Sequence, residues 1–284
     1  MTRAGTFITA AELIDLLAAG RPVAVLDVRW QLTEPDGHDA YRRGHVPGAV
    51  YVSLEDELSD HTVAGRGRHP LPTGASLQEA ARRWGLSEGV PTVVYDAWNR
   101  AGSARAWWVL TAAGISGVRI LDGGLAAWTA AGGRLEDGEV TPEPGDVQVQ
   151  HGDLYQGALP TLSAQQLPRA DGVLLDARAP QRFSGAEEPV DPVAGHIPHA
   201  RNAPSTGVLA EDGTLLPEAD LTRFFADLGV GDDVGVYCGS GVTASVVVAA
   251  LRATGVDAAL FPGSWSEWCS DPGLRQLRPV ATGS

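Results

Sequence analysis

No lysine occurs in this chain of 284 residues, so all 21 basic side chains are arginine. Schiff-base chemistry on a lysine and a phosphate-binding loop built on a lysine are both excluded. Cysteine is nearly as scarce. Cys238 and Cys269 are too few for a disulfide framework or a cysteine-rich zinc site, and the seven histidines form no His-Glu-x-x-His pair. No metal is therefore expected. No apolar run reaches the roughly 18 residues of a membrane span. The N-terminal stretch carries Glu12 and Asp15 inside an amphipathic pattern, not a basic-then-apolar layout, which argues against a signal peptide and for a cytoplasmic protein. Acidic residues outnumber basic ones, 35 to 21, and the net charge of −14 argues against nucleic acid or an anionic membrane as a partner.

What is present is one pattern written twice. Val23-Ala24-Val25-Leu26-Asp27-Val28-Arg29 returns 149 residues later as Gly172-Val173-Leu174-Leu175-Asp176-Ala177-Arg178. Gly44-His45-Val46-Pro47 is answered by Gly195-His196-Ile197-Pro198, and Thr92-Val93-Val94-Tyr95-Asp96 by Val234-Gly235-Val236-Tyr237-Cys238. Ile120-Leu121-Asp122-Gly123-Gly124 through Trp128 is matched by Leu260-Phe261-Pro262-Gly263-Ser264 through Trp268. Two tandem copies of one domain are expected, at residues 1–134 and 158–284. The Pro-, Gly- and acid-rich stretch 135–157 between them suits an exposed, semi-extended linker. Short continuous apolar runs alternate with helical stretches at 11–19, 77–84, 103–113, 219–228 and 242–253. That alternation predicts an α/β fold in which each copy is a mostly parallel sheet with helices on both faces. His45 and His196 each open a His-x-Pro turn and read as structural.

The sharpest local feature is Val234-Gly235-Val236-Tyr237-Cys238-Gly239-Ser240-Gly241-Val242-Thr243-Ala244. A buried strand ends at a cysteine, a small-residue loop follows, and a helix begins near Val242. Two glycines let backbone N–H groups turn inward around one point, and the helix start adds its own unpaired N–H groups. A cysteine thiolate is stabilised at such a place. Read without that context, Cys238 is a small core residue at a strand end.

With these residues in view, the chain resembles the two-domain rhodanese-type sulfurtransferases, the family of the 3-mercaptopyruvate and thiosulfate enzymes, over nearly its whole length. The repeated Asp-x-Arg, Gly-His-[Val/Ile]-Pro and Leu-Asp-Gly-Gly-x-x-x-Trp signals resemble that family's domain markers. Cys238-Gly239-Ser240-Gly241-Val242-Thr243 resembles the loop of the mercaptopyruvate branch, whereas the thiosulfate branch places basic residues where Gly239 and Ser240 stand. The resemblance implies that Cys238 is the sulfur-carrying nucleophile and that Gly239, Gly241, Val242 and Thr243 help to bind substrate. It implies that Arg182, in Arg178-Ala179-Pro180-Gln181-Arg182, binds the substrate anion. It also implies that the first copy is not catalytic, since Asp96 occupies the position of Cys238 and a carboxylate cannot accept sulfane sulfur. The family brings an acid and a histidine from the first domain near the catalytic loop; the matching residues are Glu55 and His69. On its own, His69 reads as a loop histidine. In one respect the sequence departs from the family. A second substrate arginine is expected nine positions after Arg182, but Asp191 stands there, so either Arg182 acts alone or Arg201 or Arg68 substitutes.

The resemblance implies a double displacement. Cys238 takes sulfur from a small anionic donor, 3-mercaptopyruvate or alternatively thiosulfate, as a persulfide. An acceptor then removes it: cyanide or a thiol, a thioredoxin-like protein included. Ser240, with His69 behind it, would relay the proton that the mercaptopyruvate leaving group needs. No cofactor is required. With Gly239 and Ser240 uncharged, the loop's field is expected to come from backbone dipoles alone, which favours mercaptopyruvate over thiosulfate. Two other classes compete. A phosphatase with a Cys-x5-Arg loop needs an arginine where Ala244 stands, and a non-enzymatic sulfur relay would pass sulfur to a protein acceptor without small-molecule turnover. Cys269, beside Trp268, reads as a packing residue.

Overall fold

The computed structural model describes residues 2–167, 172–274 and 276–283. It contains two parallel sheets. The first runs β1-β5-β4-β2-β3, from strands Phe7–Ile8 (β1), Ala24–Asp27 (β2), Val50–Tyr51 (β3), Thr92–Tyr95 (β4) and Val118–Leu121 (β5). The second runs β7-β6-β8-β9, from Val173–Asp176 (β6), Arg201–Asn202 (β7), Val234–Tyr237 (β8) and Ala259–Leu260 (β9). The registers repeat as the sequence does: Asp27 lies opposite Tyr95, and Asp176 opposite Tyr237. All the strand pairings are parallel.

Strands β2, β4, β5, β6 and β8 are buried on both faces, which is why their apolar runs are continuous, whereas the edge strands β3 and β7 are only partly covered. In the first sheet Val25, Val93 and Tyr95 point to one core, with Leu13 and Trp128, while Leu26 and Val94 point to another. In the second sheet Leu174 and Tyr237 face an outer core, and Leu175 and Val236 face inward. The inner faces of the two halves share a single core. Its centre is the pair of helices Ala101–Ala112 and Ala244–Ala253, each buried along nearly its whole length. Their alanines and valines permit close approach, and a helix apolar all round must lie inside. Two longer helices of the first half begin at side-chain caps: Thr9, with Glu12 completing a capping box, opens Ala10–Ala18, and Thr73 opens Gly74–Arg83.

The repeated signals turn out to be scaffolding. Arg29 and Arg178 each clamp the buried aspartate two residues earlier and donate onward to Gly44 O and Gly195 O. His45 stacks on Tyr41 and His196 on Phe183, each with Nδ1 bonded to a backbone carbonyl. The indoles of Trp128 and Trp268 donate to Arg134 O and Pro279 O.

Two expectations need correction. The stretch 135–157 is extended but not free. Gly145 N donates to Arg82 O, Val147 N to Leu86 O and Gln150 N to Ala113 O, with Val147 and Leu154 buried. Apolar residues spaced among its prolines strap it to the first half. The helix after Cys238 begins at Ala244, not at Val242, because Gly241 must first turn the chain at φ +79°. Among the described residues, no helix is long and apolar enough to cross a membrane.

Candidate functional site

Strand β8 delivers Cys238 to the floor of a cleft of about 230 Å³ between the two halves. Gly239, Ser240, Val242 and Thr243 line the same cleft. The cysteine is held from three sides. Its N–H donates to Ser264 Oγ at 3.1 Å, its carbonyl accepts from Trp265 N at 3.0 Å, and its Sγ accepts from Gly241 N at 3.2 Å. Only glycine fits at 241, since a Cβ there would stand 2.3 Å from Pro262 O. Ser264 is itself in the left-handed region, at φ +53°, with its hydroxyl donating to Phe261 O at 2.9 Å.

The equivalent turn in the first half closes on itself. Asp96 accepts N–H bonds from Trp98, Arg100 and Ser103 and a hydroxyl bond from Ser103 at 2.6 Å. Its own carboxylate takes the hydrogen bonds that an incoming anion would need.

Two guanidiniums flank the Cys238 loop. A Cβ on Gly239 would lie 3.0 Å from Arg68 Nη2 and 3.5 Å from Arg182 Nη1. The expectation of a loop served by backbone dipoles alone is therefore wrong: cations reach it from distant parts of the sequence. Arg182 stands on the short helix Pro180–Ser184. Arg68 crosses from the first half because its N–H donates to Ser266 Oγ and Gly67 packs on Gly263 O too closely for any side chain. Asp191 joins the two arginines, one carboxylate oxygen to each. Glu188 accepts from Arg182 at 2.6 Å and from Arg178 at 3.3 Å. Burial pushes the Asp191 carboxyl up against the pull of Arg68, whereas bonds from Arg182 and from backbone N–H groups outweigh burial at Glu188 and hold it low. Arg201 is elsewhere: it is exposed and donates to Leu228 O.

Glu55 and His69 meet at 3.0 Å, Oε1 to Nε2, and neither lines the cleft. Trp30 separates them from it; its indole donates to Glu55 at 2.6 Å, its ring meets His69 edge-on at 5.5 Å, and it lines the cleft. Burial holds the His69 imidazole below its usual range, and bonds from His69 and Trp30 outweigh burial at Glu55, lowering it to about 2. His69 Nδ1 is buried without a partner, so no bond to Ser240 is formed. Behind the pair, Arg105 is fully buried and donates to Leu58 O and His69 O, each at 3.0 Å. Burial lowers it to about 10. Burial, with Asp191 and Glu188 nearby, pushes the Cys269 thiol up to about 11, so it is poorly ionised at neutral pH. Among the described residues, no group of three or more His, Cys, Asp or Glu could hold a metal ion.

Trp30, Arg105 and Glu188 carried no signal in the sequence, since each lies outside the repeated patterns or reads there as ordinary core. The Rhodanese-like domain pattern matches residues 9–131 and 161–271. A Mycobacterium tuberculosis protein named as a thiosulfate sulfurtransferase, SseB, is 63% identical over 284 residues, 99% of each chain. A Pseudomonas aeruginosa protein named as a 3-mercaptopyruvate sulfurtransferase is 46% identical over 97% of this chain and 98% of its own. The crystal structure of SseA from Escherichia coli, titled as a 3-mercaptopyruvate sulfurtransferase, superposes with a TM-score of 0.79 at 31% identity, covering 94% of this chain and all of that one. A strand-end cysteine in a glycine-turned loop, a repeat whose first copy has lost that cysteine, and these likenesses along the whole length make the chain a member of the rhodanese-type sulfurtransferase family.

Proposed function

We propose that this sulfurtransferase takes sulfur from 3-mercaptopyruvate, carries it on Cys238 as a persulfide, and passes it to a thiol or to cyanide. The observation that carries the proposal is Cys238 Sγ under the Gly241 N–H, on the floor of a cleft flanked by Arg68 and Arg182. The Cys238 thiolate attacks the donor sulfur, forming an S–S bond as the C–S bond breaks. The departing electron pair forms the enolate of pyruvate, and the donor's thiol proton ends on its methyl carbon. Ser240, in the cleft, is suited to move that proton, while the Glu55–His69 pair, which forms no bond to Ser240, holds Trp30 against the cleft. An acceptor thiolate, such as that of a thioredoxin-like protein, or cyanide then attacks the outer sulfur and restores the Cys238 thiolate. The inward N–H groups and nearby guanidiniums stabilise negative charge on thiolate and persulfide alike. Gly239, Gly241, Val242 and Thr243 shape the pocket, and Arg182 with Arg68 holds the donor carboxylate.

A second reading, thiosulfate as donor, is favoured by one observation: two cationic side chains reach the loop that the sequence leaves uncharged. Side-by-side kcat/KM values for the two donors decide. A higher value for mercaptopyruvate supports the proposal, and an equal or higher value for thiosulfate overturns it.

A further inference from the structure

Asp191 occupies an odd place for an acid. Its side chain is 3% exposed, yet it stands beside the anion site of an enzyme whose donors are anions. It spends one oxygen on Arg68, from the first half, and the other on Arg182, from the second. Each guanidinium keeps a nitrogen on the Gly239 side: among the described residues, Arg68 Nη2 and Arg182 Nη1 have no hydrogen-bond partner there. The arrangement is therefore a two-pronged donor mounted on a shared carboxylate. The other charges belong to the same cluster. Arg178 is matched by buried Asp176, and Glu188 sits between Arg178 and Arg182. The three arginines are balanced by three acids.

From that balance we infer that Asp191 is a specificity-determining residue, which keeps both guanidiniums aimed at the donor while cancelling enough of their charge to favour a monoanion over a dianion. The inference rests on the donor proposed above. A monoanionic carboxylate gains two directed hydrogen bonds from the fork whatever the background charge. A dianion such as thiosulfate depends on net positive charge, and its second charge meets the field of Asp191 and Glu188. A buried carboxylate screened little by salt is effective in this role.

Asp191→Asn tests it, because the amide keeps the shape and an oxygen for one arginine while removing the charge. The lost aiming bond costs both donors alike, while the lost charge favours thiosulfate, so the ratio of its kcat/KM to that of mercaptopyruvate rises about five- to tenfold, equal to about 1–1.4 kcal/mol. A merely structural role would move both donors alike and leave the ratio in place, and that outcome overturns the inference. The native protein supplies an arm that needs no variant. Its kcat/KM for thiosulfate is expected to vary with ionic strength no more steeply than that for mercaptopyruvate. A steep fall for thiosulfate alone would reveal uncompensated cations and reject the charge balance. The two proposals fail separately: native preference for thiosulfate defeats the donor assignment, whereas an unmoved ratio in Asp191→Asn defeats the filter alone.

Discussion

The Nε2–H of His69 donates to Oε1 of Glu55 at 3.0 Å, while His69 Nδ1 lies buried with no partner. Glu55 accepts besides from Trp30 and pairs with His61 at 3.0 Å. A carboxylate so supplied is bound more tightly in its ionised form, which lowers it from 4.5 to about 2. Between those values the unfolded chain binds a proton that the native protein refuses, so stability falls as pH falls through that window. His69 acts in the same direction at higher pH, because burial holds it below 6.5 and protonation favours the unfolded chain. Urea midpoints across pH 2 to 5 should show the parent losing on the order of 1–2 kcal/mol more than Glu55→Gln, after allowance for water at this partly exposed group. Parallel curves for the two proteins would show that Glu55 gains nothing from its partners.

Cys238 and Cys269 are both buried free thiols, but of the two Cys238 lines the cleft, where its sulfur accepts from the Gly241 N–H. Cys238→Ser should abolish transfer, since a serine oxygen carries no sulfane sulfur. Cys269→Ser should keep most activity, because burial leaves that thiol protonated at neutral pH. Peptide mass spectrometry of donor-treated protein is expected to find one added sulfur, on the Cys238 peptide. Sulfur on Cys269 alone would overturn the site assignment.

The architecture was legible because its signals are local and duplicated. Continuous apolar runs such as Val234–Tyr237 mark buried parallel strands, and the second copy confirms each reading of the first. The Cys238 loop was legible for the same reason, as strand, glycine turn and helix follow one another in the chain. The charge around it was not. Arg68 lies 170 residues before Cys238 and reaches it only because Gly67 and Ser266 dock one half on the other. Asp191, which in the sequence looks like the loss of a clamp, is where Arg68 and Arg182 are joined. The packing of 135–157 was missed because its prolines and acids hide Val147 and Leu154, two apolar residues too far apart to form a run.

Gly241→Ala probes the loop itself. At φ +79° an L side chain is strained, and a Cβ would stand 2.3 Å from the backbone oxygen of Pro262, which cannot swing aside. The chain must shift, and the N–H that donates to Cys238 Sγ shifts with it. Activity should fall by at least tenfold, with a stability loss of about 1–3 kcal/mol. Gly239→Ala is the control, because its nearest neighbour is the mobile end of Arg68 at 3.0 Å. Equal losses in the two variants would mean that the turn's geometry is not what matters.

Three arginine substitutions separate the candidates for the donor's anion. Arg182→Ala removes a guanidinium with one nitrogen facing the Gly239 side, and a charge-assisted hydrogen bond contributes about 1.5–3 kcal/mol. KM for mercaptopyruvate should rise roughly ten- to a hundredfold, with a smaller change in kcat, since the carboxylate is held similarly in ground and transition states. Arg68→Ala should do the same to a lesser degree, because its side chain is 29% exposed and water takes part of its place. Lysine at either position should rescue only in part, lacking the planar fork that serves Asp191 and the donor at once. Arg201→Ala should leave KM within about twofold, as that side chain holds Leu228 O on an exposed face. Steady-state kinetics on the three variants settle the ranking. An Arg201 effect equal to that of Arg182, or a silent Arg68, would mean that the donor sits outside the interdomain cleft and that Arg68 serves only to hold the two halves together.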